Sequence, residues 1–336
     1  MSDITTIYSG YADAEQLRTI GDRIREFLVA AKVNLETLNA LTICSDAEEI
    51  YGLPFELASR GSVSLGTSEV ALRYRWPDTK AFIEGDKRGR VLFAWASPKK
   101  PVPNREHCTA IQKTTNSWLS FDSTRDVVAN ASREGLRKAL SSDVRVLHLL
   151  CHGGPGGLRL EGEDITSPTA LATTLEPFAR TLRMIVLCVC RSGDQEPKTR
   201  HMGSTARELH RLGIPWVVAS RSPLHFQDSV LLTEKIYAGI RNSVDDIEAA
   251  IVSARRALHE PCGGTARTGC RKYAWLSLQL YAAPASLPPL RDTLHPHKEA
   301  DTLSWAIELG EFVARLPLVA AFKGTPNARK FEEQVA

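Results

Sequence analysis

The sequence predicts an α/β fold built on a largely parallel sheet, and three observations carry that expectation. Short apolar runs alternate with amphipathic segments along the chain. The two clearest runs, Val144–Cys151 and Arg183–Cys190, read as buried strands. A single helix separates them, which is the spacing of a right-handed crossover between parallel neighbours.

Taken in order, the elements begin with a strand near Ile4–Tyr8 and a helix over about Asp13–Ala31. In that helix Leu17, Ile20, Ile24, Phe27 and Leu28 recur at helical spacing. A less regular stretch passes through Ile43 and Tyr51–Leu57 to a strand at Glu69–Tyr74, and the polar residues 76–90 form an exposed connection. Val91–Ala96 is a strand closed by Ser97 and Pro98. A helix covers Glu106–Trp118, and Ser132 caps a helix ending near Leu140. The strand Val144–Cys151 ends at His152 and the run Gly153-Gly-Pro-Gly-Gly157. A helix near Ser167–Ala179 leads to the strand Arg183–Cys190, which stops at Arg191-Ser-Gly193. The helix Ser204–Leu212 ends at Gly213 and feeds the strand Pro215–Ala219. Helices over about Gln227–Ile240 and Asp245–Leu258 precede a last strand, Tyr273–Tyr281. Residues 284–299, rich in Pro and His, form a linker to an apolar helix over about Thr302–Leu316.

Composition narrows the class. With 336 residues, 43% hydrophobic and 24% charged, the chain has the make-up of a soluble globular protein with a substantial core. A net charge of +3, with Lys and Arg spread along the chain, gives no reason to expect direct nucleic-acid binding. The N-terminus lacks the basic and apolar regions of a signal peptide, and no uncharged apolar run approaches the roughly 18 residues of a membrane span. The seven cysteines include no C-x-x-C pair, which removes zinc-ribbon and thioredoxin readings. Several lie in apolar runs as reduced thiols would, so a cytoplasmic setting is expected, with no metal and no cofactor.

The chemistry concentrates at His152 and Cys190. Each ends a buried strand, and parallel strands open their C-terminal ends on one edge, where such sheets place their ligands. An imidazole within reach of a thiol can generate the thiolate that attacks a carbonyl. The glycines that follow leave backbone N–H groups uncovered, and those of Gly153 and Cys190 are candidates for an oxyanion hole. His148 lies on the same face as His152 but in mid-strand, so it belongs to the core, as do Cys188 and Cys151. The glycine run suggests a phosphate cradle, but no Lys-Ser/Thr follows it. His-Gly-Gly suggests a lipase oxyanion loop, but no Gly-x-Ser-x-Gly elbow supplies a serine.

At these residues the sequence resembles the CHAT family, caspase-like peptidases related to caspases and separases. Leu53-Pro-Phe-Glu-Leu57 is similar to the family's Leu-Pro-Trp-Glu-Leu segment. Val91–Pro98 looks like the strand that opens its second half. Val146-Leu-His-Leu-Leu-Cys-His-Gly153 resembles the strand ending in the catalytic His-Gly, and Val186-Leu-Cys-Val-Cys-Arg-Ser-Gly193 the strand that carries the nucleophile. Val217-Val-Ala-Ser220 and Pro223 are similar to the next strand and its loop, so the likeness covers roughly residues 1–284.

The resemblance implies a caspase-like fold in three parts: a smaller non-catalytic part, 1–90; a catalytic part, 91–284; and a linker with a helical tail, 285–336. It makes His152 the base and Cys190 the nucleophile of an endopeptidase that works through an acyl-enzyme. Arg191-Ser192 and Arg221-Ser222 depart from the family's residues beside the cleft and bear on specificity. Arg221 resembles the pocket arginine of caspases and would select acidic substrates, whereas Asp164 or Asp194 would receive Arg or Lys. No sensor domain is fused to the chain, so the resemblance suggests a separately encoded regulator, a protein substrate and a role in bacterial signalling or antiphage defence. The tail helix Thr302–Leu316 either packs on the core or docks that regulator. A non-catalytic interaction module is the main competing reading, and a nucleotide-binding switch is a weaker one.

Overall fold

The computed structural model describes residues 13–82, 88–98, 100–116, 118–141, 143–154, 156–190, 202–221, 224–242, 247–260, 273–283 and 290–296; at Cys190 it describes the backbone alone. The expected strand Ile4–Tyr8 and tail helix Thr302–Leu316 lie outside these residues.

The first helix, α1 (Ala14–Ala30), starts where the sequence places it. Asp13 accepts from the Gln16 N–H at 2.8 Å while the Gln16 side chain accepts from the Asp13 N–H, a reciprocal cap. Next come β1 (Ala40–Cys44), a small hairpin of β2 (Ser59–Arg60) and β3 (Val63–Ser64), and β4 (Ala71–Arg75). The chain continues with β5 (Arg90–Trp95), α2 (Asn104–Thr115), β6 (Val127–Val128), α3 (Arg133–Ala139), β7 (Val144–Gly154), β8 (Gly157–Arg159), α4 (Pro168–Leu175) and β9 (Met184–Cys190). After these are α5 (Met202–Arg211), β10 (Trp216–Ser220), α6 (Phe226–Asn242), α7 (Ile247–His259), the single turn α8 (Ala274–Ser277) and β11 (Leu278–Ala282).

Nine described strands form one sheet in the order β1-β4-β11-β10-β9-β7-β5-β6, with β8 attached to β7. Along that order every pairing is parallel except that of β10 with β11. Two parallel blocks therefore meet head to tail at that pair, and β1 and β4 extend the sheet through β11. Helices cover both faces. Val146 and Leu150 of β7 pack with Ile111 of α2, Ile236 and Tyr237 of α6, and Ile251 of α7. The alternate residues Leu147, Leu149 and Cys151 pack with Leu136 of α3, Leu171 and Leu175 of α4, and Leu209 of α5. Burial on both faces is why these strands read as unbroken apolar runs.

Three expectations are corrected. Ala40–Cys44, read as irregular, is a strand; it has one neighbour and alternates in burial, so its apolar signal is thin. Tyr273–Tyr281 is not one strand, because its first half coils into α8 before β11 begins. β7 does not end at His152. It runs on to Gly154 and folds back as β8, with His152 opposite Arg159 and Gly153 opposite Leu158. The glycines serve that hairpin: Gly156 has φ +89°, and a Cβ on Gly157 would strike the Thr166 carbonyl.

Candidate active site

The ends of three adjacent strands build the site. β7 lies between β5 and β9, and its pairing with β9 sets His152 directly across from Cys190, the last pair of a register that starts at Val146 and Met184. Cross-strand partners share a face of the sheet. The two positions, 38 apart in the chain, are thus neighbours through the parallel crossover that the sequence suggested.

His152 is 2% exposed, and the segment after β5 helps to cover it. Its Nε2 lies 2.7 Å from the Lys100 carbonyl oxygen. A carbonyl only accepts, so Nε2 carries the proton of this bond. The Ala96 N–H donates to the Leu150 carbonyl at 2.9 Å, which lays that segment along β7. Nothing in the sequence announces this partner, because any residue can offer a carbonyl.

Arg221 sits at the end of β10, but its side chain is built into the fold. Nη1 donates to Glu56 Oε2 at 3.0 Å and to the Leu276 carbonyl at 2.7 Å; Nε donates to the Tyr51 carbonyl and one Nη2 proton to the Leu53 carbonyl, both at 3.1 Å. The remaining Nη2 donor meets the Tyr74 hydroxyl. A guanidinium has five N–H donors, and these acceptors engage all of them. The pocket role expected for Arg221 gives way to a structural one. Glu56 and Leu53, from the Leu53–Leu57 motif, are two of its partners. Asp164 is exposed in the loop between β8 and α4, and Asp194 lies outside the described residues.

His148 and Cys188 are core residues, both fully buried. They join His107 of α2, which sequence reasoning did not single out, in a buried cluster on the face that carries α2 and α6. Residues of α2 and α6 pack in the same buried layer as this cluster.

This mostly parallel sheet, flanked by helices and with strand ends converging on one edge, is the fold of the caspase-like cysteine peptidases. The family model described as the CHAT domain matches residues 14–307, and the chain belongs to that family. Gingipain R (RgpB), described as an Arg-specific cysteine proteinase, superimposes with a TM-score of 0.50 at 11% identity over 82% of this chain and 68% of its own. The complex of the RgpB pro- and mature domains from Porphyromonas gingivalis gives 0.47 at 8% identity, over 85% and 71%. The Saccharomyces cerevisiae separase–securin complex gives 0.43 at 13% identity, over 72% of this chain and 15% of that one. No curated protein matches in sequence. Among the described residues, no helix is long and apolar enough to cross a membrane.

Proposed function

We propose that the protein is a cysteine endopeptidase in which Cys190 attacks and His152 moves the proton. The observation that carries this reading is the β7–β9 register, whose last pair is His152 and Cys190, toward the C-terminal edge of the sheet. With Nε2–H held by the Lys100 carbonyl, Nδ1 is the nitrogen that takes the thiol proton. The thiolate bonds to the scissile carbonyl carbon, and its oxygen becomes an oxyanion facing the Gly153 and Cys190 N–H groups. As the intermediate collapses, the C–N bond breaks, His152 gives its proton to the leaving amine, and an acyl-thioester remains. His152 then takes a proton from water, whose oxygen releases the acid and restores the thiol.

In this reading the substrate is a protein, and a separately encoded regulator brings the enzyme to full activity, with the segment after Pro284 as its docking site. The CHAT membership supports this reading, and with it we propose a place in bacterial signalling or antiphage defence. An electrophilic peptidyl probe tests the chemistry. Labelling of reduced protein should map to Cys190 and disappear in Cys190→Ala and His152→Ala. An adduct on Cys188 instead would overturn the assignment, and a wild-type chain that stays unlabelled beside its regulator would favour an interaction module.

A further inference from the structure

The cluster of His107, His148 and Cys188 brings together donors from α2, β7 and β9, and all three residues are 0% exposed. Their ligating atoms lie within 4.8 Å of one another, and His107 Nδ1 is 3.2 Å from His148 Nε2. Two nitrogens bound at about 2.0–2.1 Å to a tetrahedral zinc stand about 3.3 Å apart. The remote nitrogen of each ring is held by an oxygen: His107 Nε2 lies 3.0 Å from Ser229 Oγ, and His148 Nδ1 lies 3.3 Å from the Tyr237 hydroxyl. That is how ligating imidazoles are oriented, with the outward nitrogen bonded and the inward one left to the metal.

Ser229 Oγ, which donates to the Phe226 carbonyl at 2.7 Å, also holds the outer nitrogen of His107. Thr233 Oγ1 donates to the Ser229 carbonyl at 2.9 Å and lies 3.0 Å from the inner nitrogen, His107 Nδ1. Thr233 Oγ1, 3.9 Å from Cys188 Sγ, offers a fourth donor.

We infer that His107, His148 and Cys188, with Thr233, form a buried structural site for a zinc-like divalent cation, acquired as the chain folds. The mixed N/N/S set suits zinc. The site ties α2 and α6 to the two strands that carry His152 and Cys190, and it takes no part in peptide chemistry.

The test uses the full chain in a Cys190→Ala, His152→Ala background, so that the proposed dyad cannot supply ligands. Protein refolded with zinc should hold one zinc per chain and melt higher than protein refolded with chelator. Cobalt in its place should show a thiolate charge-transfer band. Cys188→Ser should abolish that band, and His107→Gln should weaken metal binding by about tenfold or more. To separate metal loss from misfolding of His107→Gln, Thr233→Val and Cys188→Ser serve as milder variants judged on metal content at equal helicity. Equal melting with and without zinc, or a full complement of metal in Cys188→Ser, would overturn the site. The first of these outcomes would mean that Ser229 turns its proton to His107 Nε2 in a metal-free network. Probe labelling of Cys190 is indifferent to either result, so the two proposals stand or fall separately.

Discussion

Arg221 and Glu56, 165 positions apart, form an ion pair at 3.0 Å with side chains 6% and 0% exposed. Arg255 adds a second cation, with Nη2 3.6 Å from Glu56 Oε1, and the Tyr74 hydroxyl donates to the same oxygen at 3.1 Å. The pair joins the Leu53–Leu57 segment to the end of β10. There the Leu224 N–H donates to the Val189 carbonyl at 3.1 Å, one residue before Cys190.

Breaking this pair should be costly, because it strands buried charge. Glu56→Ala leaves two buried guanidinium groups without their carboxylate and should destabilise the chain by about 3–5 kcal/mol. Urea unfolding measures it. A loss below about 1 kcal/mol, the range of an exposed pair, would show that water reaches the network.

The dyad variants should separate chemistry from packing. Cys190→Ala and His152→Ala should each lower peptide hydrolysis by at least about 10²-fold. Cys151→Ala removes a buried thiol beside His152 from the opposite face of β7 and should keep its activity. Alkylation of the reduced protein should abolish turnover. Wild-type turnover in Cys190→Ala would end the cysteine mechanism.

His210 should make the protein acid-sensitive. Burial lowers its pKa to about 4 despite the bond from Nδ1–H to the Ile214 carbonyl at 3.0 Å, and Arg75 lowers it further. The folded ring therefore stays neutral while the unfolded one takes up a proton below its ordinary value of about 6.5. Stability is unaffected above that pH and falls as pH drops from 6.5 toward 4. Between pH 6.5 and 5 this residue alone accounts for about 2 kcal/mol. His210→Gln should lose that much less on acidification, as read by urea unfolding at pH 7.5 and pH 5; an unchanged pH slope would refute it.

Substrate selection should favour a basic residue before the scissile bond. Arg221 has its donors engaged within the fold, which leaves Asp164 and Asp194 as the pocket candidates of charged type. A peptide library should return cleavage after Arg or Lys, and Asp164→Asn should raise KM for those peptides with kcat little changed. Cleavage after Asp or Glu would reverse the assignment.

Much of this was legible because strands buried on both faces write themselves as apolar runs. Val144–Cys151 and Arg183–Cys190 stood out on that ground, and the polar or glycine residues after them marked the edge where positions 152 and 190 pair. The run Tyr273–Tyr281 shows the limit, since an apolar segment with no clear period can coil as well as extend. β1 shows another, because a short strand with one neighbour alternates too weakly to declare itself.

By itself the sequence determined the α/β class, the parallel crossover and the two apolar strands that carry His152 and Cys190, since these follow from local periodicity and burial. Tertiary structure alone decided what surrounds them. The Lys100 carbonyl that sets the tautomer of His152 carries no side-chain signal. Arg221 reads as a loop arginine until Glu56 is brought to it. His107, His148 and Cys188 lie in three elements, each about forty positions after the one before, so no spacing rule joins them. Contacts between distant segments arise from how the helices pack on the sheet, and that packing is written in no local stretch of the chain.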